Sequence, residues 1–260
     1  MNINKKIKSL IWPIIYLVLT AMVVVSFSVG FKARYFQPIY ISGSSMQPTL
    51  NQIEDNDGTW HHYGYIDTDK GAIKNLKRFN IITTFYPFSS FGDYTKPFNP
   101  NGENVVSENA SYKIKRVYAF PGEQFKFDIS FDEVKNANVL DFYVKTAEET
   151  DWGEPLEIPF ERKINFNRNG NPDYYRYESP VLGENQYFCM GDNYTVSADC
   201  YSETKSTGNF SPIYFENIQG VLIAIEGICK INNVSGEGVG ILDTFSNYVR
   251  KPYKTPIYYI

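Results

Sequence analysis

The chain has 260 residues, of which 43% are hydrophobic and 21% are charged, and its net charge is −4. This composition is globular, and its mild acidity without a Lys/Arg-dense face excludes nucleic acid as an expected partner. The 21 Tyr and 19 Phe, together with many β-branched residues, favour strands over helices after the first forty residues.

An uncharged apolar run, Leu10 to Phe31, opens the chain. At 1.5 Å per residue it just crosses a hydrocarbon core of about 30 Å, so it predicts a single transmembrane helix. Small residues at Ser26-Phe27-Ser28 leave a cleaved signal peptide as an alternative, but the run exceeds the usual length of a signal h-region, which favours an uncleaved anchor. The flanking basic residues predict a cytoplasmic amino terminus and a soluble part outside the cytoplasm: Lys5, Lys6, Lys8, Lys32 and Arg34.

The remaining elements predict a mainly β protein, in which an antiparallel β-sheet domain follows the membrane helix and carries an inserted β-rich lobe. The predicted strands are a strand ending in a turn within 35–50, Phe79–Phe85, Tyr112–Phe120, Tyr187–Met190 and Ile218–Ile225. The predicted irregular parts are a polar loop over 51–74, a surface loop over 87–109, and a short helix with a tail over 239–260.

Four segments summarise this organisation. Residues 1–34 form the amino terminus and anchor, 35–123 with 184–245 the main β domain, 124–183 the inserted lobe and 246–260 the carboxyl-terminal tail.

Cysteine and histidine give no metal signal. Cys189, Cys200 and Cys229 lack a Cys-x-x-Cys spacing, and three unpaired thiols are favoured over a Cys189–Cys200 disulfide. His61 and His62 are neighbours in the polar loop and are interpreted as surface residues. No metal or cofactor is expected.

A serine in the turn at 42–50, about fourteen residues past the membrane run, is a candidate nucleophile at the bilayer surface. A serine hydroxyl needs a base, and the two histidines make a Ser-His-Asp arrangement improbable. Lys115 lies in a strand whose alternation puts it on one face with Val117 and Ala119, and desolvation there would disfavour its ammonium form. From the residues alone, such a lysine is more often a solvated charge on a strand.

Three separated blocks sharpen this interpretation: Ser45-Met46-x-Pro48-Thr49-Leu50; Lys115-Arg116-Val117 followed by Pro121-Gly122-Glu123; and Gly191-Asp192-Asn193-x-x-x-Ser197-x-Asp199. Each block is a weak signal alone. In this order behind a membrane anchor, they resemble the bacterial type I signal peptidases, which are Ser/Lys-dyad endopeptidases that remove signal peptides from exported proteins after small residues.

The resemblance implies a role for each matching residue. Ser45 would be the nucleophile, with Ser44 as the fallback, and Lys115 would be the general base. The backbone N–H of Ser45 would donate into the oxyanion hole. Gly43 stands where some members have a serine hydroxyl as a second donor, so this chain would rely more on backbone.

The third block supplies supporting residues and also departs from the family pattern. Gly191, Asp192 and Asn193 form its turn, Ser197 matches a serine that hydrogen-bonds the catalytic lysine, and Asp199 matches a supporting carboxylate. The family usually has arginines where this chain has Tyr194 and Tyr201. Asp199 would therefore lose its cationic partner, and Arg116 is the expected substitute.

The resemblance also implies the partners: exported preproteins with amino-terminal signal peptides, and membrane lipid. Substrates would pair as extended segments with a strand edge, and the pocket walls would come from 35–41 and the strand near Lys115. Two alternatives remain. One is a catalytically inactive, membrane-anchored β domain that binds exported chains or a partner. The other is a self-cleaving repressor-type Ser/Lys protease, against which the anchor and the lack of a DNA-binding segment argue.

Overall fold

A computed structural model describes residues 3–53, 60–85, 113–134, 137–160, 165–166, 174–230, 238–241 and 249–259. The chain divides into two compact units, Met1–Gln37 and Pro38–Ile260. The surface loop predicted over 87–109 lies outside the described residues.

The first unit is the helix α1, Ile3–Tyr35, which confirms the helix predicted from the apolar run. Its stretch Ile11–Gly30 has a mean hydropathy of 2.1 and is long and apolar enough to cross a membrane. Thr20 and Ser28 donate their hydroxyls to the carbonyls four residues earlier, both at 2.8 Å. These bonds satisfy both hydroxyls within the helix, as an apolar surrounding requires.

After α1, the described residues contain thirteen strands, two short helices and a 3₁₀ turn. The strands are β1 Phe36–Ser42, β2 Trp60–Asp67, β3 Ile81–Thr84, β4 Lys113–Ala119, β5 Glu123–Asp132, β6 Ala137–Thr146, β7 Asn165–Phe166, β8 Tyr175–Glu178, β9 Gln186–Met190, β10 Ile213–Tyr214, β11 Ile218–Lys230, β12 Gly238–Ile241 and β13 Val249–Tyr258. The helices are α2 Lys70–Lys74 and α3 Cys200–Thr207, and the 3₁₀ turn is Phe215–Asn217.

Nine strands form one antiparallel sheet in the order β10-β9-β4-β3-β11-β2-β1-β12, with β13 also paired to β11. A second antiparallel sheet has the order β7-β6-β5-β8 and corresponds to the inserted lobe. The predicted fold class, a mainly β protein behind an amino-terminal apolar helix, is confirmed.

The two sheets share a hydrophobic core. Phe125, Phe127 and Phe142 of the second sheet pack with Phe188 and Tyr118 of the first, with ring centroids 4.1 Å apart for Phe125 and Phe188. A separate cluster lies behind the turn that follows β1: Ile39, Ile41, Met46, Leu50, Ile66, Ile81, Ile114, Leu222 and Ile225. The turn is therefore anchored by its own buried side chains.

Two predictions about irregular segments are wrong. The histidines lie in β2 instead of a polar loop, and His62 is only 7% exposed. The carboxyl-terminal segment contains β12 and β13 in its described part, where a short helix was predicted. Most side chains of β13 are exposed, so residues 249–258 lack the alternation of apolar and polar residues that predicts a strand.

Candidate active site

The turn after β1 presents Ser45. Gly43 has a φ of 83°, a left-handed conformation that glycine adopts at little cost, and it reverses the chain at the end of β1. The N–H of Gln47 donates to the carbonyl of Ser44 at 3.1 Å, and that of Leu50 to Met46 at 2.9 Å. Because Met46 and Leu50 are buried, Ser45 is held at a fixed place.

Lys115 reaches this serine from β4. Its side chain is buried, with the residue 2% exposed, and its Nζ lies 3.1 Å from the Oγ of Ser45. The same Nζ donates to the carbonyl of Ile114 at 2.9 Å. Lys115 is therefore not the solvated charge that the strand pattern alone favours.

The loop after β9 holds the serine turn from the other side. Since β9 pairs with β4, its end lies beside Arg116. Asn193 donates its backbone N–H to the Ser45 carbonyl at 3.0 Å and its Nδ2 to the Ser44 carbonyl at 3.1 Å. A Cβ on Gly191 would collide with the Ser45 carbonyl and with Ser197, so only glycine fits this close approach.

Arg116 forms a buried ion pair with Asp192. Its Nε and Nη2 donate to the two carboxylate oxygens at 2.8 and 2.6 Å, and Asp192 is fully buried. Thr49 of the serine turn donates to the same carboxylate at 2.5 Å, and the guanidinium lies 3.7 Å from the Phe160 ring centroid. The expectation that Arg116 would replace the partner of Asp199 is wrong, because Asp192 takes both of these donors.

Asp199 instead organises the backbone around it. It accepts hydrogen bonds from the N–H of Gly191 at 2.7 Å and of Ser202 at 3.0 Å, and it caps α3. Burial raises the pKa of Asp199 to about 7, and these backbone donors oppose that rise. Ser197 is buried near Gly191, but its Oγ has no hydrogen-bond partner among the described residues, so the predicted bond to Lys115 is not made.

Tyr194 and Tyr201 occupy the positions where the family usually has arginine. The Tyr194 hydroxyl donates to the carbonyl of Asn138 in β6 at 2.8 Å, and the two tyrosine rings meet edge to face. Tyr201 packs on Phe127 of β5 in the same way. At these positions the third block is joined to the second sheet by aromatic packing.

Asn51, His62 and Tyr253 form a hydrogen-bonded group beside the serine turn that was not predicted from the sequence. Asn51 donates its N–H to His62 Nδ1 at 3.0 Å, accepts the His62 N–H on its Oδ1 at 2.8 Å, and donates its Nδ2 to the carbonyls of Ile41 and Gly43. His62 Nε2 lies 2.9 Å from the Tyr253 hydroxyl on β13. Because Nδ1 accepts, the neutral ring carries its proton on Nε2. Asn51 and His62 are 11 residues apart and Tyr253 is 191 residues from His62, so no short motif predicts this group.

The remaining candidates are simpler. Cys189, Cys200 and Cys229 are free and buried, as the favoured interpretation predicts. Across the described ranges, no three His, Cys, Asp or Glu side chains are grouped as a metal site would require.

The described residues thus form a mainly β unit that follows a long apolar helix in the chain and places the Ser45 hydroxyl against the buried Lys115 amine. The family described as signal peptidase, peptidase S26, matches residues 11–225, and the chain belongs to this family. No curated protein matches the chain. Family membership gives the chain a signal peptidase function in general terms and fits a membrane-anchored protein.

The Arg116–Asp192 pair is predicted to be strongly coupled. In a double-mutant cycle with Arg116→Met and Asp192→Asn, urea unfolding of the full chain in detergent should give a coupling of about 2–3 kcal/mol, because either single change leaves a buried charge unpaired. The solvent-exposed pair Arg176–Asp128 is the control and should show a much weaker coupling, because water screens it. A larger coupling of Arg116 with Asp199 than with Asp192 would contradict this assignment.

His62 is predicted to make stability sensitive to acid. Burial lowers its pKa from 6.5 to about 4, so its contribution of about 3 kcal/mol is present above pH 6.5 and is lost as the pH falls to 4. The raised pKa of Asp199 acts in the opposite direction, because its contribution grows as the pH falls from 7 to 3.8. A comparison of variants is therefore needed to isolate His62.

In His62→Asn the amide oxygen can still accept from Asn51, but the acid-labile ring is gone. Between pH 7 and pH 4.5 its unfolding free energy should improve relative to the parent by about 2–3 kcal/mol. His61→Asn is the matched control and should change less, because His61 is less buried. Parallel pH curves for His62→Asn and the parent would rule out this role.

Proposed function

We propose that this chain is an endopeptidase that removes signal peptides from exported preproteins after small residues, with Ser45 as the nucleophile and Lys115 as the general base. The observation that carries the proposal is the 3.1 Å separation between the Lys115 Nζ and the Ser45 Oγ, with both residues buried. This distance is within the range for direct proton transfer.

The proton transfer requires an uncharged amine. A neutral lysine has two N–H donors and one lone pair, and the carbonyl of Ile114 fixes one donor at 2.9 Å. The lone pair then takes the Ser45 proton while Oγ forms a bond to the scissile carbonyl carbon. The resulting ammonium returns a proton to the leaving amine as the peptide bond breaks, and water releases the acyl group in a second round of the same transfers.

The developing oxyanion needs a donor, for which we propose the backbone N–H of Ser45. Asn193 binds the carbonyl of Ser44, which shares a peptide plane with that N–H, and the carbonyl of Ser45 in the next plane, so both peptide planes that flank the Ser45 Cα are fixed. Among the described residues, none accepts a hydrogen bond from it. Gly43 offers no side-chain hydroxyl as a second donor, so this backbone group would carry most of the stabilisation.

For substrate recognition, we propose that an extended precursor binds along β1 and β4, with shallow pockets that exclude large side chains at the first and third positions before the cut. The amino terminus would be cytoplasmic and the β unit extracytoplasmic, since Lys5, Lys6 and Lys8 precede the apolar stretch Ile11–Gly30 of α1. A signal peptide that is itself in the membrane would then meet the enzyme at the bilayer surface.

The dyad is tested with full-length protein in detergent and a synthetic precursor that contains Ala-x-Ala before the cut. Ser45→Ala and Lys115→Ala should each lower kcat by at least about 10³-fold, and the double variant should be no worse, because the two groups act as a unit. Activity should rise with pH as the Lys115 amine loses its proton.

Ser44→Ala and Lys113→Ala are the matched controls, since each changes the neighbouring residue of the same type and should keep most of the activity. Retained cleavage in Ser45→Ala with loss in Ser44→Ala would move the nucleophile. An intact precursor with the parent chain under all conditions would favour an inactive binding domain.

A further inference from the structure

The outer edge of β1 is covered by the chain itself. β1 is paired with β2 on one side, and on its other side it pairs with β12. The register is antiparallel, with Ile39 opposite Ile241, Tyr40 opposite Gly240, Ile41 opposite Val239 and Ser42 opposite Gly238. β12 thus ends the sheet where β1 would otherwise present unpaired backbone groups.

This edge belongs to the candidate active site. β1 leads within three residues from Ser42 to Ser45, and β4 carries Lys115. Residues of β12 also come within 8 Å of residues of β4, Cα to Cα, although β4 pairs in the sheet with β3 and β9. β12 therefore lies beside both strands that supply the serine and the lysine.

The sequence of β12 resembles what the proposed site would accept. Gly238-Val239-Gly240 is a small-x-small segment in an extended conformation, the same pattern as the small residues expected before the cut in a precursor. The family match ends at residue 225, so β12 is contributed by a part of the chain beyond it.

We propose that β12 is an internal ligand of the substrate edge, which an incoming precursor must displace from β1. This inference rests on the proposed function, because it takes the edge of β1 beside Lys115 as the binding site for extended precursors. Two strands cannot use one set of backbone donors and acceptors at once. If β12 is bound nine-tenths of the time, the apparent affinity for a precursor is lowered about tenfold.

The test measures precursor binding in Ser45→Ala protein, where no cleavage is needed. Val239→Pro combined with Gly240→Pro removes two successive N–H donors, one of which must face β1, because successive strand N–H groups point to opposite sides. In full-length protein in detergent, a fluorescent Ala-x-Ala precursor peptide should bind about tenfold more tightly to this variant than to the Val239→Ala/Gly240→Ala control. Equal affinities in the two variants would overturn the inference.

A cross-link supplies a second measurement with the backbone donors intact. Tyr40→Cys with Gly240→Cys places two thiols at directly opposite positions, where a disulfide can form. The oxidised protein should lose precursor binding by at least about tenfold and regain it on reduction, whereas binding that survives oxidation would overturn the inference. A chain with Ser45 that cleaves no precursor would refute the proposed function, and these binding results would still report whether β12 competes.

Discussion

The position of one turn, residues 43–51, determines whether the Ser45 hydroxyl lies within hydrogen-bonding distance of the Lys115 amine. The turn is not held by its own hydrogen bonds alone. Asn193 binds it through two carbonyls, Asp192 through Thr49, and Asn51 closes it against the end of β1. Each of these hydrogen bonds is buried or half-buried. If one were lost, water could not easily replace the missing partner of the polar group.

The Arg116–Asp192 pair links this turn to the base. Arg116 follows Lys115 on β4, so its side chain points to the opposite face of the strand. The amine thus points to Ser45 while the guanidinium is fixed by Asp192, by the carbonyl of Phe79 at 2.8 Å and by the Phe160 ring. A rotation of β4 would have to break the buried Arg116–Asp192 ion pair. The contacts of Arg116 therefore help to fix the direction of the Lys115 side chain.

Local patterns were enough to predict much of this molecule. The apolar run predicts α1, the alternating segments predict β1, β3, β4 and β9, and the three blocks predict which residues meet around Ser45. Partner choice was not predictable, because Asp192 and Asp199 are equally good carboxylates in the sequence and only the β4–β9 pairing puts Asp192 beside Arg116. His62 was misjudged for the same reason. Its burial comes partly from β11, which pairs with β2, and from Tyr253 of β13, and both are distant from His62 in sequence.

Tyr194 and Tyr201 stand where the family usually has arginines, and they support the third block by packing and a hydrogen bond. An arginine there would offer charge to Asp199, whose carboxylate is here served by backbone N–H groups, and burial favours its protonated form. Two backbone N–H groups take the place of a cation at this carboxyl, so aromatic side chains can occupy the space and pack on the second sheet through Asn138 and Phe127. The stability of the site is thereby joined to the packing of the inserted lobe, because the loop that fixes Ser45 and the core of the second sheet share the same two rings.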